Sequence, residues 1–299
     1  MALAAKLILA AAALASTAPA MAEPNNFRCS SCTAWNQQQK PFKLYGNTWY
    51  VGTRALSALL VTGPQGHILL DGALPQSAPL IASNIKLLGF RMKDVKLILN
   101  SHEHFDHAGG IAALQRASGA VVAASARGAK VLEDGVIGKD DAQYDSTQDP
   151  RIEKIDAVKR VAEGEVLRVG NLAITARMTP GHTPGGATWT WSSCEKGRCL
   201  DMVYADSLTP VSADNFRFSD DPARVAEFRA SIDKVGALKC DVVVSTHPDF
   251  TAVLEKLAAR TKNTNPFIDQ AGCRTYADGA RKRLDARLER EKQPVKPGA

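Results

Sequence analysis

Ser101-His102-Glu103-His104-Phe105-Asp106-His107 is the stretch of the sequence that decides the fold and the chemistry. It holds three histidines and an aspartate in the pattern H-x-H-x-D-H. It follows the almost wholly apolar run 95–99, which is typical of a strand covered on both faces. Zinc binds neutral imidazoles and carboxylates that converge at about 2 Å, and a loop leaving a strand can direct alternate side chains inward. The stretch therefore predicts a metal site at the end of a buried strand.

Two further histidines also follow predicted strands. His182 lies in Pro180-Gly181-His182-Thr183-Pro184-Gly185-Gly186, and His247 lies in Ser245-Thr246-His247-Pro248. The chain has six histidines in all, and only His67 is left over, which we interpret as a partly buried structural residue after a turn. Five histidines at strand ends favour a metal site over scattered core or surface positions.

Strand-like runs dominate both halves of the 299-residue chain, and no change of composition separates the halves. This predicts a single α+β domain, a four-layer αβ/βα sandwich in which two mixed β-sheets pack face to face with helices on both outer faces. The predicted elements include a strand over 56–62 and a helix that begins at Pro222. The polar, Asp-rich stretch from Gly135 to Asp149 predicts a long loop over the site.

The first 22 residues have the composition of a cleaved signal peptide. Lys6 is their only charged residue, an apolar region runs from Leu7 to Leu14, and Ala20-Met21-Ala22 fits an A-x-A cleavage site. Cleavage would leave residues 23–299 as the catalytic domain, in an oxidising compartment such as a bacterial periplasm. No later apolar run reaches the ~20 residues of a membrane span, so no membrane insertion is expected after cleavage.

The six cysteines agree with export. Cys194 and Cys199 flank a polar turn between two strand-like runs, which favours a disulfide across a hairpin; Cys240 and Cys273 would then join the last strand to the last helix. The CxxC at Cys29-Ser30-Ser31-Cys32 lacks a second CxxC and a βαβ context. A small structural disulfide is therefore the better interpretation than a redox or zinc motif. The net charge of +6 is dispersed, so no nucleic-acid partner is expected.

The histidine pattern resembles that of the metallo-β-lactamase superfamily. Longer strings are similar to subclass B3 metallo-β-lactamases: Gly46-Asn47-Thr48-Trp49-Tyr50-Val51-Gly52, residues 101–110, residues 179–186 and Tyr204-Ala205-Asp206-Ser207-Leu208-Thr209. The resemblance implies two Zn²⁺ ions per chain. It places the first with His102, His104 and His182, and the second with Asp106, His107 and His247.

The resemblance also implies a function, which is hydrolysis of the amide bond of penicillins, cephalosporins and carbapenems by a metal-bound hydroxide, conferring β-lactam resistance. Asp106 would orient the hydroxide, while Ser207, Thr209 and Gln143 are candidates for contacting the substrate. Trp35 is either a wall of the cleft or an ordinary packing residue. The expected partner is a small β-lactam molecule, and the expected assembly is a monomer.

Other functions remain open at this stage. A lactonase or a glyoxalase-II-like thioesterase has the same fold, and many such hydrolases carry a metal-bridging aspartate in a Gly-Asp-Thr-like string that Ala205-Asp206-Ser207 resembles. Export, Ser207 and the longer strings favour the lactamase, in which Asp206 would lie outside the zinc ligands. Two S-x-x-K matches, at 83–86 and 231–234, lack the S-D-N and K-T-G strings of a serine β-lactamase. A non-catalytic zinc-binding module would leave every lactam and ester intact.

Overall fold

The first sheet has seven strands, which follow one another in chain order across it. They are β1 (Phe42–Tyr45), β2 (Thr48–Tyr50), β3 (Leu59–Gly63), β4 (Gly66–Leu70), β5 (Val95–Leu99), β6 (Val121–Ser125) and β7 (Val158–Val161). Strands β1 to β4 pair antiparallel, and β4 to β7 pair parallel. This computed structural model describes residues 28–145 and 152–293. The predicted signal peptide and residues 146–149 of the predicted loop lie outside the described residues.

The second sheet has five strands in the order β12-β11-β10-β9-β8. They are β8 (Val166–Val169), β9 (Leu172–Met178), β10 (Ala187–Glu195), β11 (Arg198–Ala205) and β12 (Val242–Ser245). All neighbours pair antiparallel except β11 and β12, which are parallel. As a result β9, β11 and β12 all run in one direction and end at one edge of the sheet.

Within the described residues, eight α-helices accompany the two sheets. They are α1 (Cys32–Trp35), α2 (Ala78–Leu87), α3 (Phe105–Ala108), α4 (Ile111–Ser118), α5 (Ala126–Asp134), α6 (Pro222–Gly236), α7 (Val253–Ala258) and α8 (Gly272–Glu291). Helices α2, α4 and α5 pack on the first sheet, and α6 and α8 pack on the second. Within the described part of the chain, no helix is both long and apolar enough to cross a membrane.

Successive side chains of a strand point to opposite faces of its sheet, and this produces three apolar layers between the four layers of secondary structure. In β12, Val242 and Val244 face the layer between the sheets, whereas Val243 faces α6 and α8. In β4, Ile68 and Leu70 face the second sheet, while Leu69 packs under the helices of the first. The two mixed sheets and their helices confirm the predicted four-layer sandwich.

One predicted strand begins later than expected. The prediction was 56–62, but β3 starts at Leu59, because residues 53–56 form a turn in which Thr53 N–H donates to the Leu56 carbonyl at 2.9 Å. The Tyr50 hydroxyl donates to the Thr53 carbonyl at 2.6 Å and fixes this turn from the neighbouring strand. A local turn therefore overrides the β pattern of residues 56–58.

Hydrogen bonds between the sheets align the edge at which their parallel strands end. Trp189 Nε1 on β10 donates to the Asn100 carbonyl at 3.1 Å, and Ala187 N–H donates to the Ser101 carbonyl at 2.7 Å. Ser57 N–H donates to the Thr246 carbonyl at 2.8 Å. The loops that leave β5, β9, β11 and β12 therefore meet at one place.

Three disulfides confirm the cysteine pairing expected from the sequence. Cys29–Cys32 closes the chain at the start of α1, Cys194–Cys199 joins directly opposed residues of β10 and β11, and Cys240–Cys273 ties the approach to β12 to α8. The described part of the chain contains no free cysteine.

We expect the Cys240–Cys273 bond to stabilise the fold more than the Cys194–Cys199 bond. The two bonds span 33 and 5 residues, for which loop-closure entropy gives about 3–4 and about 2 kcal/mol, respectively. Double alanine variants of each pair, compared by urea unfolding, measure the difference. Equal losses of unfolding free energy would contradict this expectation.

Candidate metal centre

The six predicted metal ligands come together at the common edge of the two sheets. The loop after β5 supplies His102 and His104, and α3, which starts at Phe105, supplies Asp106 and His107. His182 follows β9 and His247 follows β12. Five of the six are buried, and His247 is partly buried, with 22% of its side chain exposed.

Two glycines allow α3 to lie close to the end of β4. A Cβ on Gly110 would lie 2.2 Å from the Gly72 carbonyl oxygen, a distance that no side chain tolerates. The close approach lets Gly72 N–H donate to the His107 carbonyl at 2.9 Å, and this bond fixes the helix that presents Asp106 and His107.

The first cluster consists of His102, His104 and His182, whose donor atoms all lie within 4.8 Å of one another. His104 Nδ1 is 3.2 Å from His182 Nε2. His102 Nε2 is buried and has no hydrogen-bond partner among the described residues. Buried polar atoms are normally hydrogen-bonded, so an unpartnered ring nitrogen beside two other imidazoles fits a metal ion that takes nitrogen donors.

The second cluster consists of Asp106, His107 and His247. Asp106 Oδ2 lies 3.1 Å from His107 Nε2 and 3.2 Å from His247 Nε2, and the two imidazole nitrogens are 3.2 Å apart. Burial alone would raise the pKa of Asp106, but the two histidines outweigh it and hold the pKa well below its usual range. One carboxylate and two imidazoles form a donor set that also fits zinc.

Acceptors behind the first three histidines set which nitrogen faces the metal position. His102 Nδ1 is 2.8 Å from Asp206 Oδ1, His104 Nε2 is 3.1 Å from Asp141 Oδ2, and His182 Nδ1 is 2.8 Å from the Thr209 carbonyl. Since carboxylates and carbonyls accept, each of these nitrogens carries the proton and donates. The opposite ring nitrogen is then left free to bind a metal.

The position of Asp206 bears on the question that the sequence left open. Its side chain is wholly buried behind His102, and it belongs to neither group of converging donors. Burial raises the pKa of this carboxyl well above its usual value. A cation on the far side of His102 would offset that cost, so this position favours a role behind His102 over one that bridges two metals.

Asp141 and Asp71 are site residues that the sequence analysis missed. Asp141 lies in the predicted loop, a polar stretch with no spacing signal. Burial lowers the pKa of His104, but Asp141 outweighs it and raises that pKa to about 9. Asp71 accepts from Ser101 N–H at 2.7 Å and from the Tyr204 hydroxyl at 2.8 Å, so it holds the start of the histidine loop. Its only sequence signal was its place directly after β4.

The remaining candidates for contacting the substrate lie near residues of both clusters. The Ser207 hydroxyl is buried and 2.8 Å from Thr246 Oγ1, and Thr209 Oγ1 is 3.2 Å from His182 Nδ1. Gln143 Nε2 is 3.3 Å from His104 Nδ1. The Trp35 ring lies edge-on to the His247 ring, with 5.5 Å between centroids, and it also packs against the apolar core. These positions agree with the expected roles without testing them.

The fold and the two donor clusters define a metal-dependent hydrolase. The family model of the metallo-β-lactamase superfamily matches residues 51–247, and the chain belongs to this superfamily. The resemblance read from the histidine pattern is thereby confirmed.

Comparison with solved structures shows which members of the superfamily this chain resembles. MEM-A1, a subclass B3 metallo-β-lactamase isolated from a soil metagenome library, is 50% identical over 86% of this chain and 98% of its own, with a TM-score of 0.83. The Rm3 metallo-β-lactamase is 49% identical over 89% and 100%, with a TM-score of 0.86. SMB-1, solved with bound 2-mercaptoethanesulfonate, is 46% identical over 86% and 99%, with a TM-score of 0.83.

Curated relatives point to another activity on the same fold. The hydroxyacylglutathione hydrolase of Anaeromyxobacter dehalogenans (strain 2CP-C) is 34% identical over 130 residues, which are 44% of this chain and 39% of the relative. That of Rhodopseudomonas palustris (strain HaA2) is 30% identical over 214 residues, 70% of this chain and 68% of the relative. Three of these relatives are matched over only 39%, 63% and 38% of their length.

Asp206→Asn and Asp106→Asn separate a supporting residue from a ligand. We expect Asp206→Asn to keep near two metal ions per chain while its metal affinity falls about 10–100-fold, because it removes only the charge behind His102. Asp106→Asn should lose the metal of the second cluster. Elemental analysis of dialysed protein measures both. Equal metal loss in the two variants would show that Asp206 is a ligand.

Asp141→Asn tests the support behind His104. We expect zinc affinity of the first cluster to fall about 10–100-fold, since the variant loses the charge that holds the ring. Competition with a chromophoric chelator measures it. Asp140→Asn is the matched control, because Asp140 is exposed and pairs with Arg127 on the surface. An affinity loss of the same size in both variants would contradict a specific role for Asp141.

Proposed function

We propose that this chain is a secreted subclass B3 metallo-β-lactamase that hydrolyses the amide bond of β-lactam antibiotics with two Zn²⁺ ions per chain. The observation that carries the proposal is identity of 46–50% over 98–100% of three solved metallo-β-lactamases, together with six converging donors at the edge of the sheets. The donor chemistry supports zinc, since the set consists of imidazoles and one carboxylate.

The charges of the two clusters assign different tasks to them. Zinc bound there would lower the pKa of water to near 7 and polarise a carbonyl oxygen. The first cluster would hold its metal with three imidazoles and no carboxylate, so the ligands of that metal would carry no negative charge. The second contains Asp106, whose carboxylate would help to hold the metal there and orient the attacking hydroxide. The clusters therefore differ in charge, since only the second contains a carboxylate.

The substrate's own carboxylate needs donors beside the clusters. Ser207 and Thr209 lie next to His182 and Thr246 and present hydroxyl groups, while Gln143 presents an amide beside His104. We propose that these three side chains contact the β-lactam, and that Trp35 packs against its apolar part. Such a site takes a small molecule and requires no second chain, so we propose a monomer.

The alternative function is a glyoxalase-II-like thioesterase, which the curated relatives favour. Two observations weigh against it. Those alignments reach 34% and 30% identity, below the 46–50% of the solved lactamases. In addition, Asp206 lies behind His102, and this position disfavours a role that bridges two metals. A lactonase that uses a bridging aspartate is disfavoured for the same reason.

Export accompanies this function. We propose that residues 1–22 are a signal peptide, that residues 23–299 form the single mature domain, and that this domain works in a bacterial periplasm. All six cysteines are paired, which agrees with an oxidising compartment. A periplasmic enzyme would meet β-lactams before they reach the cell wall, and so confer resistance.

The test is hydrolysis of a chromogenic cephalosporin by the purified mature chain. We expect turnover that stops with a chelator, returns with Zn²⁺ and resists clavulanate, because no serine nucleophile is involved. Asp106→Asn should be nearly inactive. Parallel assays use S-lactoylglutathione and a lactone. Faster cleavage of the thioester or the lactone than of the cephalosporin would overturn the proposal.

A further inference from the structure

We propose that Arg287 and Glu291, in the last two turns of α8, are positioning residues that set the shape of the substrate-binding loop 206–219. Through that loop they determine substrate affinity, while leaving the metal ligands in place. This inference rests on the proposed function, in which Ser207 and Thr209 of the same loop contact the β-lactam.

Arg287 holds the middle of the loop through its guanidinium. Nη1 donates to the Pro210 carbonyl at 3.1 Å, and Nη2 donates to Ser212 Oγ at 2.7 Å and to the Phe216 carbonyl at 3.1 Å. The guanidinium lies 5.3 Å from the centre of the Phe218 ring. The three acceptors are spread over seven residues, and the planar guanidinium of Arg287 presents its donors in the directions needed to reach them. A lysine ammonium cannot fully replace this guanidinium.

Glu291 completes the arrangement one turn further along the helix. Its Oε1 accepts from Arg287 Nε and from Phe218 N–H, and its Oε2 accepts from Ser219 N–H at 2.7 Å. The side chains of Arg287 and Glu291 are only 20% and 7% exposed, so their charges are largely withdrawn from water. Removing either charge would leave the other one partly buried without its partner. The pair fixes the end of the loop as well as its middle.

The start of the loop is bound to the same face of α8. The Tyr276 hydroxyl donates to the Asp206 carbonyl at 2.7 Å and accepts from Leu208 N–H at 3.1 Å. Tyr276, Arg287 and Glu291 are 11 and 4 residues apart, which places them on one stripe of the helix. Three points along α8 thus hold three consecutive sections of the loop.

The held loop reaches both sides of the candidate substrate site. The Thr209 carbonyl accepts from His182 Nδ1, and Ala213 N–H donates to the Ala142 carbonyl at 2.9 Å, next to Gln143. Leu208 and Phe218 anchor the two ends of the loop in the apolar core, whereas its middle is open to solvent, with Val211 49% exposed. Between these anchors apolar packing contributes little, so the shape of residues 210–216 depends on the bonds from Arg287 and on the ion pair that Arg287 forms with Glu291.

The experiment compares the wild-type holoenzyme with Arg287→Met, Arg287→Lys and Glu291→Gln. We expect Arg287→Met to raise KM for a cephalosporin about tenfold, the size of one lost charge-assisted hydrogen bond, while kcat and zinc content stay within about twofold. Arg287→Lys and Glu291→Gln should fall between it and the wild type. Arg281→Ala is the matched control, because Arg281 is an exposed arginine of α8 that pairs with Asp233 on α6. It should match the wild type.

Hydrogen exchange supplies a second readout that does not depend on activity. The backbone amides of 208–219 should exchange about tenfold faster in Arg287→Lys and Glu291→Gln than in the wild type, while those of β12 stay unchanged. Unchanged exchange with unchanged KM overturns the inference, as does a loss of zinc or kcat without a change in KM. If Arg287→Met does not fold, the two milder variants decide. If the wild type fails to cleave lactams, the proposed function is wrong, and hydrogen exchange alone still decides whether the pair positions the loop.

Discussion

The metal centre depends on the bonds that align the edges of the two sheets. Each sheet alone brings only some of the donors: β5 leads to four of the six ligands, while β9 and β12 lead to His182 and His247. The hydrogen bonds from Trp189 to Asn100 and from Ala187 to Ser101 fix the position of one sheet relative to the other. Within a strand, a slip of one residue would turn every side chain to the opposite face. The three apolar layers and the metal donors therefore specify the same arrangement.

The six residues that converge at the edge of the sheets could be predicted from the sequence, but the groups behind them could not. Histidines are rare enough in this chain that their places after strands carry information, and the cysteines pair as their flanking residues suggest. Asp141 lies in a polar loop among other aspartates, and only the folded chain shows that it reaches His104. The strand β7 and the helix α5 also escaped prediction. The four residues of β7 have a buried, exposed, exposed, buried pattern, which lacks the alternation of a half-buried strand.

The position of one carboxylate separates two activities that share this fold. The strings around Asp206 are compatible with a bridging aspartate, so sequence similarity to hydroxyacylglutathione hydrolases is expected even for a lactamase. The structure turns Asp206 toward Nδ1 of His102, on the side away from the other donors. Buried behind His102, the carboxyl group lies next to the first cluster but outside both groups of converging donors. The presence of an aspartate at position 206 therefore distinguishes the two activities less well than the direction in which its side chain points.

Trp35 and the six candidate metal donors come from separate stretches of the chain. Trp35 lies on α1, which is closed by its own Cys29–Cys32 bond and held by Thr53 Oγ1, which donates to the Trp35 carbonyl at 2.6 Å. None of the six donors lies before residue 102. The segment can evolve separately from the metal donors. Substitutions in and around α1 can change the apolar surroundings of His247 while the histidines stay unchanged. Selection by new antibiotics can therefore favour substitutions around α1 that leave metal binding intact.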